Sequence, residues 1–250
     1  MTAQQPEPRI RSAAYELLSL AFLYPKDGAS TQLLDGAREL RSAMTLEDRR
    51  PFGGLLDTLC GELQSCGDGG LEDEYVEVFG HTLSTDCSPY ESEYGQAHIF
   101  QKSHTLADLS TFYQAFGVSI NPELKDRLDH LSVEMEFMHL LTLKEAYARG
   151  NGHGEDKALL CREAQEKFLA NHLGTWIKIF ADRVARKTGG SGVYGALAGL
   201  LEAHMAAEFG AFRLEPESSD PPEPMEPPED DLGCNPFTGE AGGRQGIAAR

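Results

Sequence analysis

The chain has little of what announces a catalytic, metal-binding or secreted fold. Its five cysteines, Cys60, Cys66, Cys87, Cys161 and Cys234, are odd in number and scattered. No C-x-x-C pair occurs among them. A disulfide framework or a structural zinc is therefore not expected, and a reducing compartment fits best. No apolar run reaches the length that spans a bilayer, so no membrane helix is expected. Met1 to Pro8 has no apolar run behind a basic region, so no secretory signal is expected either. Basic residues are scarce: 22 Lys and Arg stand against 40 Asp and Glu, a net charge of −18. Phosphate binding needs the opposite sign, which argues against nucleic acid and anionic membranes as partners. A basic ligand such as an Arg-containing peptide would be attracted, although the same charge also serves solubility.

Catalytic signatures are missing too. There is no G-x-S-x-G, no phosphate-binding G-x-x-x-x-G-K, no dinucleotide fingerprint and no H-E-x-x-H. Cys87 lies near His81 and His98 in sequence, but such proximity does not make a nucleophile–base pair. Period-2 strands of useful length do not appear, which leaves helices.

Helical periodicity is strong. Ile10–Tyr24 is apolar on most faces and ends before Pro25, so it belongs in a core. Thr31–Met44, Pro51–Leu63 and Leu71–Phe79 read as shorter amphipathic helices, the last two separated by the Gly-rich stretch Cys66–Gly70. Thr85–Gln96 holds Pro89 and Gly95 and reads as an ordered loop. A helix follows over Leu106–Phe116. Another starts at Pro122 and runs to about Arg149, on a stripe of Leu124, Leu128, Leu131, Met135 and Met138. Asp156 to about Lys187 forms the next, and Val193, Leu197, Leu200 and His204 mark the last. His204 reads as a core histidine and Trp176 as a core anchor. The fold class is all-α, a compact single-domain helical bundle over residues 8–212.

After Phe212 the composition changes. Glu215–Asp231 holds eight acids and six prolines and cannot bury enough apolar surface to offset ordering. Residues 213–250 are thus expected to be a disordered acidic Pro-rich tail. Beyond the Pro-rich stretch stands a short motif, L-G-C-N-P-F-T-G at Leu232–Gly239, whose one physical reading is a docking segment.

One polar cluster stands out, D-H-L-S-V-E-M-E-F-M-H over Asp129–His139. His130 and Glu134 are four apart on this helix, so they share a face. Three uses are open: an ion pair on a half-solvated face, a peptide-binding edge, or a metal site completed by a third ligand such as His139.

These residues carry a resemblance. Y-E-L-L-S-L-A-F-L-Y-P at Tyr15–Pro25, E-Y-V-E-V-F-G at Glu74–Gly80 with S-P-Y-E-S-E-Y at Ser88–Tyr94, D-H-L-S-V-E-M-E-F-M at Asp129–Met138 and F-L-A-N-H-L-G-T-W-I-K-I-F at Phe168–Phe180 together resemble the TorD/DmsD/NarJ-like redox enzyme maturation chaperones. The loop and the D-H-L segment are specific in combination. The resemblance implies a cytoplasmic all-helical chaperone without a cofactor and without enzymatic activity. Its partner would be the precursor of a molybdenum-containing oxidoreductase, bound through the twin-arginine signal peptide or the apo-enzyme until its cofactor is inserted. It implies peptide binding by Asp129 and His130. Glu134, Glu91, Tyr90, Tyr94, Phe79 and Leu131 extend that site as acidic acceptors and apolar contacts. Self-association is compatible with this reading. The competing class is a small metal-dependent hydrolase built on His130, Glu134 and His139.

Overall fold

The computed structural model describes residues 7–45, 49–80, 86–94, 99–118, 127–151 and 155–217. Eight α-helices make up nearly all of it, and no strand occurs among the described residues. Helix α1 spans Pro8–Ala21, α2 Ala29–Ala43, α3 Arg49–Phe79 and α4 Ile99–Ala115. Helix α5 spans Leu131–Gly150, α6 Glu155–Phe168, α7 Gly174–Thr188 and α8 Gly192–Phe212. The all-α bundle expected from periodicity is the observed fold.

Helix α1 begins on Pro8, whose missing N–H is harmless in a first turn. Its apolar faces are buried through Tyr15, Leu17, Leu18 and Ala21 against α5, α2 and α8. It stops at Ala21, earlier than the apolar run suggests. Helix α3 runs unbroken to Phe79, where two helices were expected. The Gly-rich stretch is absorbed by one left-handed residue, Gly67 at φ +62°, a conformation that costs glycine nothing. The next residue, Asp68, caps α2 from across the helix pair. Its carboxylate accepts from the Gly28 and Ser30 amides at 2.9 Å each, and from the Ser30 hydroxyl at 2.6 Å.

Helix α5 starts at Leu131 rather than Pro122. Leu128 and Asp129 form a turn in front of it, and Pro122–Lys125 lie outside the described residues. The long helix expected over Asp156–Lys187 is present as α6, a π-helical turn over Leu169–Leu173, and α7. Gly174 makes that turn possible, since a Cβ there would stand 2.5 Å from the Leu169 carbonyl oxygen.

A buried ionic cluster ties four helices together. Arg11 donates to both carboxylate oxygens of Glu208, at 2.6 and 2.5 Å, and to Gln165 Oε1 at 2.6 Å. Tyr15 donates to Glu208 at 3.0 Å, and Gln165 donates to Glu145 at 2.9 Å. Arg11 is only 2% exposed, so its charge has to be matched inside the fold. His204 sits beside this cluster, edge-on to Tyr15 at 4.3 Å between ring centres. It is the core histidine expected, although its Nε2 has no hydrogen-bond partner.

The last helix among the described residues is α8. Helix α8 closes on Arg213 at φ +59°. Leu214 then packs back on the core, and the Glu217 amide donates to the Gly174 carbonyl at 2.8 Å. The remaining acidic tail, including Leu232–Gly239, lies outside the described residues.

Candidate functional site: a guanidinium cradle between a loop and a helix start

The loop Ser88–Tyr94 and the turn Arg127–His130 meet as a short antiparallel bridge, Tyr90 opposite His130. The Glu91 amide donates to the Asp129 carbonyl at 2.9 Å, and the Leu131 amide donates to the Pro89 carbonyl at 2.8 Å. Backbone hydrogen bonds thus join the two segments whose combination was specific in the sequence.

His130 is the N-cap of α5, with extended φ/ψ of −78° and 138°. Its Nδ1 accepts from the Ser132 amide at 3.1 Å and lies 2.6 Å from the Ser132 hydroxyl. This replaces the i,i+4 pair with Glu134, because His130 stands before the helix rather than in it. Asp129 is fully buried, not exposed as its place before the stripe suggests.

Burial of Asp129 is explained by Arg127. The guanidinium donates to Asp129 through two parallel bonds, Nε to Oδ1 at 3.0 Å and Nη2 to Oδ2 at 2.7 Å. It also reaches Ser92 Oγ at 2.5 Å and Glu93 Oε1 at 3.2 Å. Its carbon lies 4.4 Å from the centre of the Tyr90 ring. Bidentate carboxylate, aromatic face and flanking acid together make a complete guanidinium site. Lys102 donates to Glu93 at 2.8 Å. That bond first, and Arg127 second, hold the Glu93 carboxyl below the usual carboxylate range.

Beneath the cradle lies a buried polar layer. Both Glu91 oxygens are 3.1 Å from His172 Nδ1. The His172 Nε2 is 3.3 Å from an oxygen of Asp108, close enough for an ion pair but without hydrogen-bond geometry. Glu134 accepts from the Trp176 indole at 3.3 Å. Burial above all, and the nearby Glu91 charge next, push its carboxyl well above the ordinary range. Tyr94 is buried, donates to the Ser88 carbonyl at 2.8 Å and leans on Trp176.

Of the residues singled out from the sequence, Asp129, His130, Tyr90 and Glu91 come together, with Leu131, Glu134 and Tyr94 packed behind them. Phe79 does not join them. It lies at the end of α3 in an aromatic cluster with Phe22, Tyr75, Phe180 and Tyr194, buried in the core. Arg127, Ser92, Glu93 and His172 were not singled out. Only the spacing R-x-D at Arg127–Asp129 could have suggested the first of them.

The hydrolase alternative loses its ligand set. His130 is committed to Ser132, Glu134 to Trp176, and His139 to Ser12 across the α1 interface, at 2.9 Å from its carbonyl oxygen. Among the described residues no three His, Cys, Asp or Glu groups converge on a possible ion site.

The nitrate reductase delta subunit family model matches residues 42–182, more than half of the chain. The chain belongs to this family, and with it to the TorD/NarJ-like maturation chaperones. The match takes in the cradle loop, the D-H-L turn and most of α7. Three relatives cover most of the chain. A selenate reductase assembly chaperone from Thauera selenatis is 28% identical over 82% of this chain and 92% of its own length. A chlorate reductase assembly chaperone from Ideonella dechloratans is 28% identical over 79% and 89%. A perchlorate reductase assembly chaperone from Dechloromonas aromatica is 25% identical over 71% and 79%. The fold resembles a solved structure from Archaeoglobus fulgidus assigned to redox enzyme maturation. Its TM-score is 0.50 and its identity 18%, and the likeness covers 78% of this chain and 93% of that one. No helix among the described residues is long and apolar enough to cross a membrane.

Proposed function

We propose that this protein is a cytoplasmic, non-enzymatic chaperone for a molybdenum-containing reductase. It binds the signal peptide or another segment of the apo-enzyme and delays export until the cofactor is in place. Family membership and the names of the relatives support the assembly role. The observation that carries the recognition mechanism is the cradle itself. Asp129 and Tyr90 already hold a guanidinium, Arg127, in bidentate and stacked geometry. A client arginine takes the same place, with Arg127 swinging out to solvent. Glu93 at the rim and the net charge of −18 draw a basic segment in.

The test uses opposite signs. Titration of the full chain with an arginine-containing precursor peptide is expected to weaken ten- to a hundredfold in Asp129→Asn, the value of a charge-assisted hydrogen bond. Arg127→Ala removes the internal competitor, so binding is expected to tighten. Screening at 1 M salt shortens to about 3 Å and is expected to weaken both proteins. Weaker binding in Arg127→Ala would mean that Arg127 only fastens the loop to the turn, and the cradle would no longer be the client site.

A further inference from the structure

Apart from the cradle, the molecule carries an unassigned apolar groove of about 850 Å³. Its walls are the end of α4, the second half of α5 and the first half of α6, with Phe116, Leu143, Tyr147 and Leu160 as the large apolar lining. Buried Cys161 and the cations Lys144 and Lys157 complete the lining. The groove is where the surface departs from the norm. Five large apolar side chains are exposed among the described residues, and four of them, Leu143, Tyr147, Leu159 and Leu160, are on α5 and α6. Scattered exposed leucines need no account, but three of these, Leu143, Tyr147 and Leu160, together line one concavity, which marks a binding surface.

We infer that this groove takes the chain's own C-terminal segment Leu232–Phe237. Four observations select that occupant. First, the root of the tail is already at α6, since Phe212 at the end of α8 lies under the guanidinium of Arg162, 4.5 Å from ring centre to carbon. Arg162 follows groove-lining Cys161 directly. Second, the reach is ample. Fourteen residues separate Glu217 from Leu232, and a chain of that length spans up to about 50 Å, whereas half of α6 spans only ~10 Å. Third, the apolar groups are concentrated in the right place. Between Glu217 and Leu232 the only large apolar side chain is Met225, and then Leu232 and Phe237 come within six residues. Fourth, the charges match. Those fourteen residues hold six acids and no base, with Glu229, Asp230 and Asp231 immediately before Leu232. The groove itself carries two cations of the opposite sign, Lys157 and Lys144, the second already bonded to the Phe116 carbonyl at 2.7 Å. Tethering adds an effective concentration in the millimolar range, so a short segment suffices.

The test keeps the full chain and uses native Cys234 as a reporter inside the segment. Leu143→Cys places a thiol at the groove edge, at a site 45% exposed, where folding is not at stake. Mild oxidation followed by peptide mapping is expected to link the introduced thiol to Cys234 within one chain. The yield should exceed that of a control, Glu39→Cys on the exposed face of α2, by roughly tenfold. Adding Leu232→Asp and Phe237→Asp is expected to bring the yield down to the control and to raise binding of an apolar dye several-fold. An intrachain yield no higher than the control overturns the inference. So does an unchanged yield in the doubly charged variant. Links between two chains overturn it in favour of a second copy as the occupant. None of these outcomes bears on the cradle at Asp129, which is tested separately.

Discussion

The indole N–H of Trp176 reaches Glu134 at 3.3 Å in a site from which water is excluded, with the Glu91 carboxylate close by. Burial first and Glu91 second raise the Glu134 carboxyl, so folding favours its protonated form. In the unfolded chain it ionises near pH 4.3. The folded pKa is the higher one, so the stability this group contributes is complete below about pH 4 and is lost as pH rises toward the folded value. The slope in that window is about 1.4 kcal/mol per pH unit. Glu134→Gln keeps an acceptor for Trp176 and has no proton to lose. Urea unfolding across pH 5–9 is expected to show a flatter alkaline side in this variant. Parallel curves for parent and variant would assign the slope to another group.

His204 runs the other way. Burial lowers its pKa from 6.5 to about 4, with Glu208 opposing. The unfolded chain therefore takes up the proton first, and stability is lost as pH falls from about 6.5 toward 4. The integrated effect is roughly 3 kcal/mol. His204→Phe fits between the rings of Tyr15 and Phe52 and should remove this acid-side loss. Melting temperature against pH checks it, and a variant that still destabilises in step with the parent below pH 6 refutes it.

Arg11 and Glu208 form a buried pair with shared partners. Removing one member leaves a charge without compensation and costs roughly 3–5 kcal/mol. Arg11→Met alone and Glu208→Leu alone are each expected to shift the urea midpoint strongly. The double variant is expected to be milder than the sum of the two, because neither charge remains. Additive losses would show that the pair is not energetically linked.

His130 holds the α5 N-terminus by accepting from the Ser132 amide. Histidine is an unusual cap, and the cost of removing a cap is about 0.5–2 kcal/mol. His130→Ala should lose that amount, and His130→Asn, a strong capping residue, should regain it. Client binding then separates two roles. If His130→Asn folds like the parent yet binds poorly, the imidazole takes part in recognition beyond capping.

The helices were legible wherever apolar residues recur with helical spacing and nothing competes, as in α1, α2, α7 and α8. The start of α5 was not, because Leu124 and Leu128 continue the stripe of Leu131 and Met135 by spacing alone while the chain turns at Leu128–Asp129. A histidine cap gives no warning of that turn. The Gly-rich stretch at Cys66–Gly70 overstated the break in α3, since one left-handed glycine absorbs it. At the site, Asp129, His130, Tyr90 and Glu91 could be named because two short segments were distinctive. Arg127 could not, since Ser92, Glu93 and the Tyr90 ring lie more than thirty residues away in sequence and reach it only in the fold. Phe79 was misplaced because an aromatic at a helix end is equally compatible with a core and a groove.

The paired amides at Glu91 and Leu131 act as a clasp. They close the stretch from Tyr90 to His130, which carries α4, back on the bundle. Closing a loop of that length carries an entropic cost, and such a contact opens as one cooperative unit. The two amide protons should therefore exchange with solvent at a common rate, slower when a client arginine fills the cradle and faster when Asp129 is neutralised. That gives occupancy a readout in hydrogen-exchange time, legible without labelling the client.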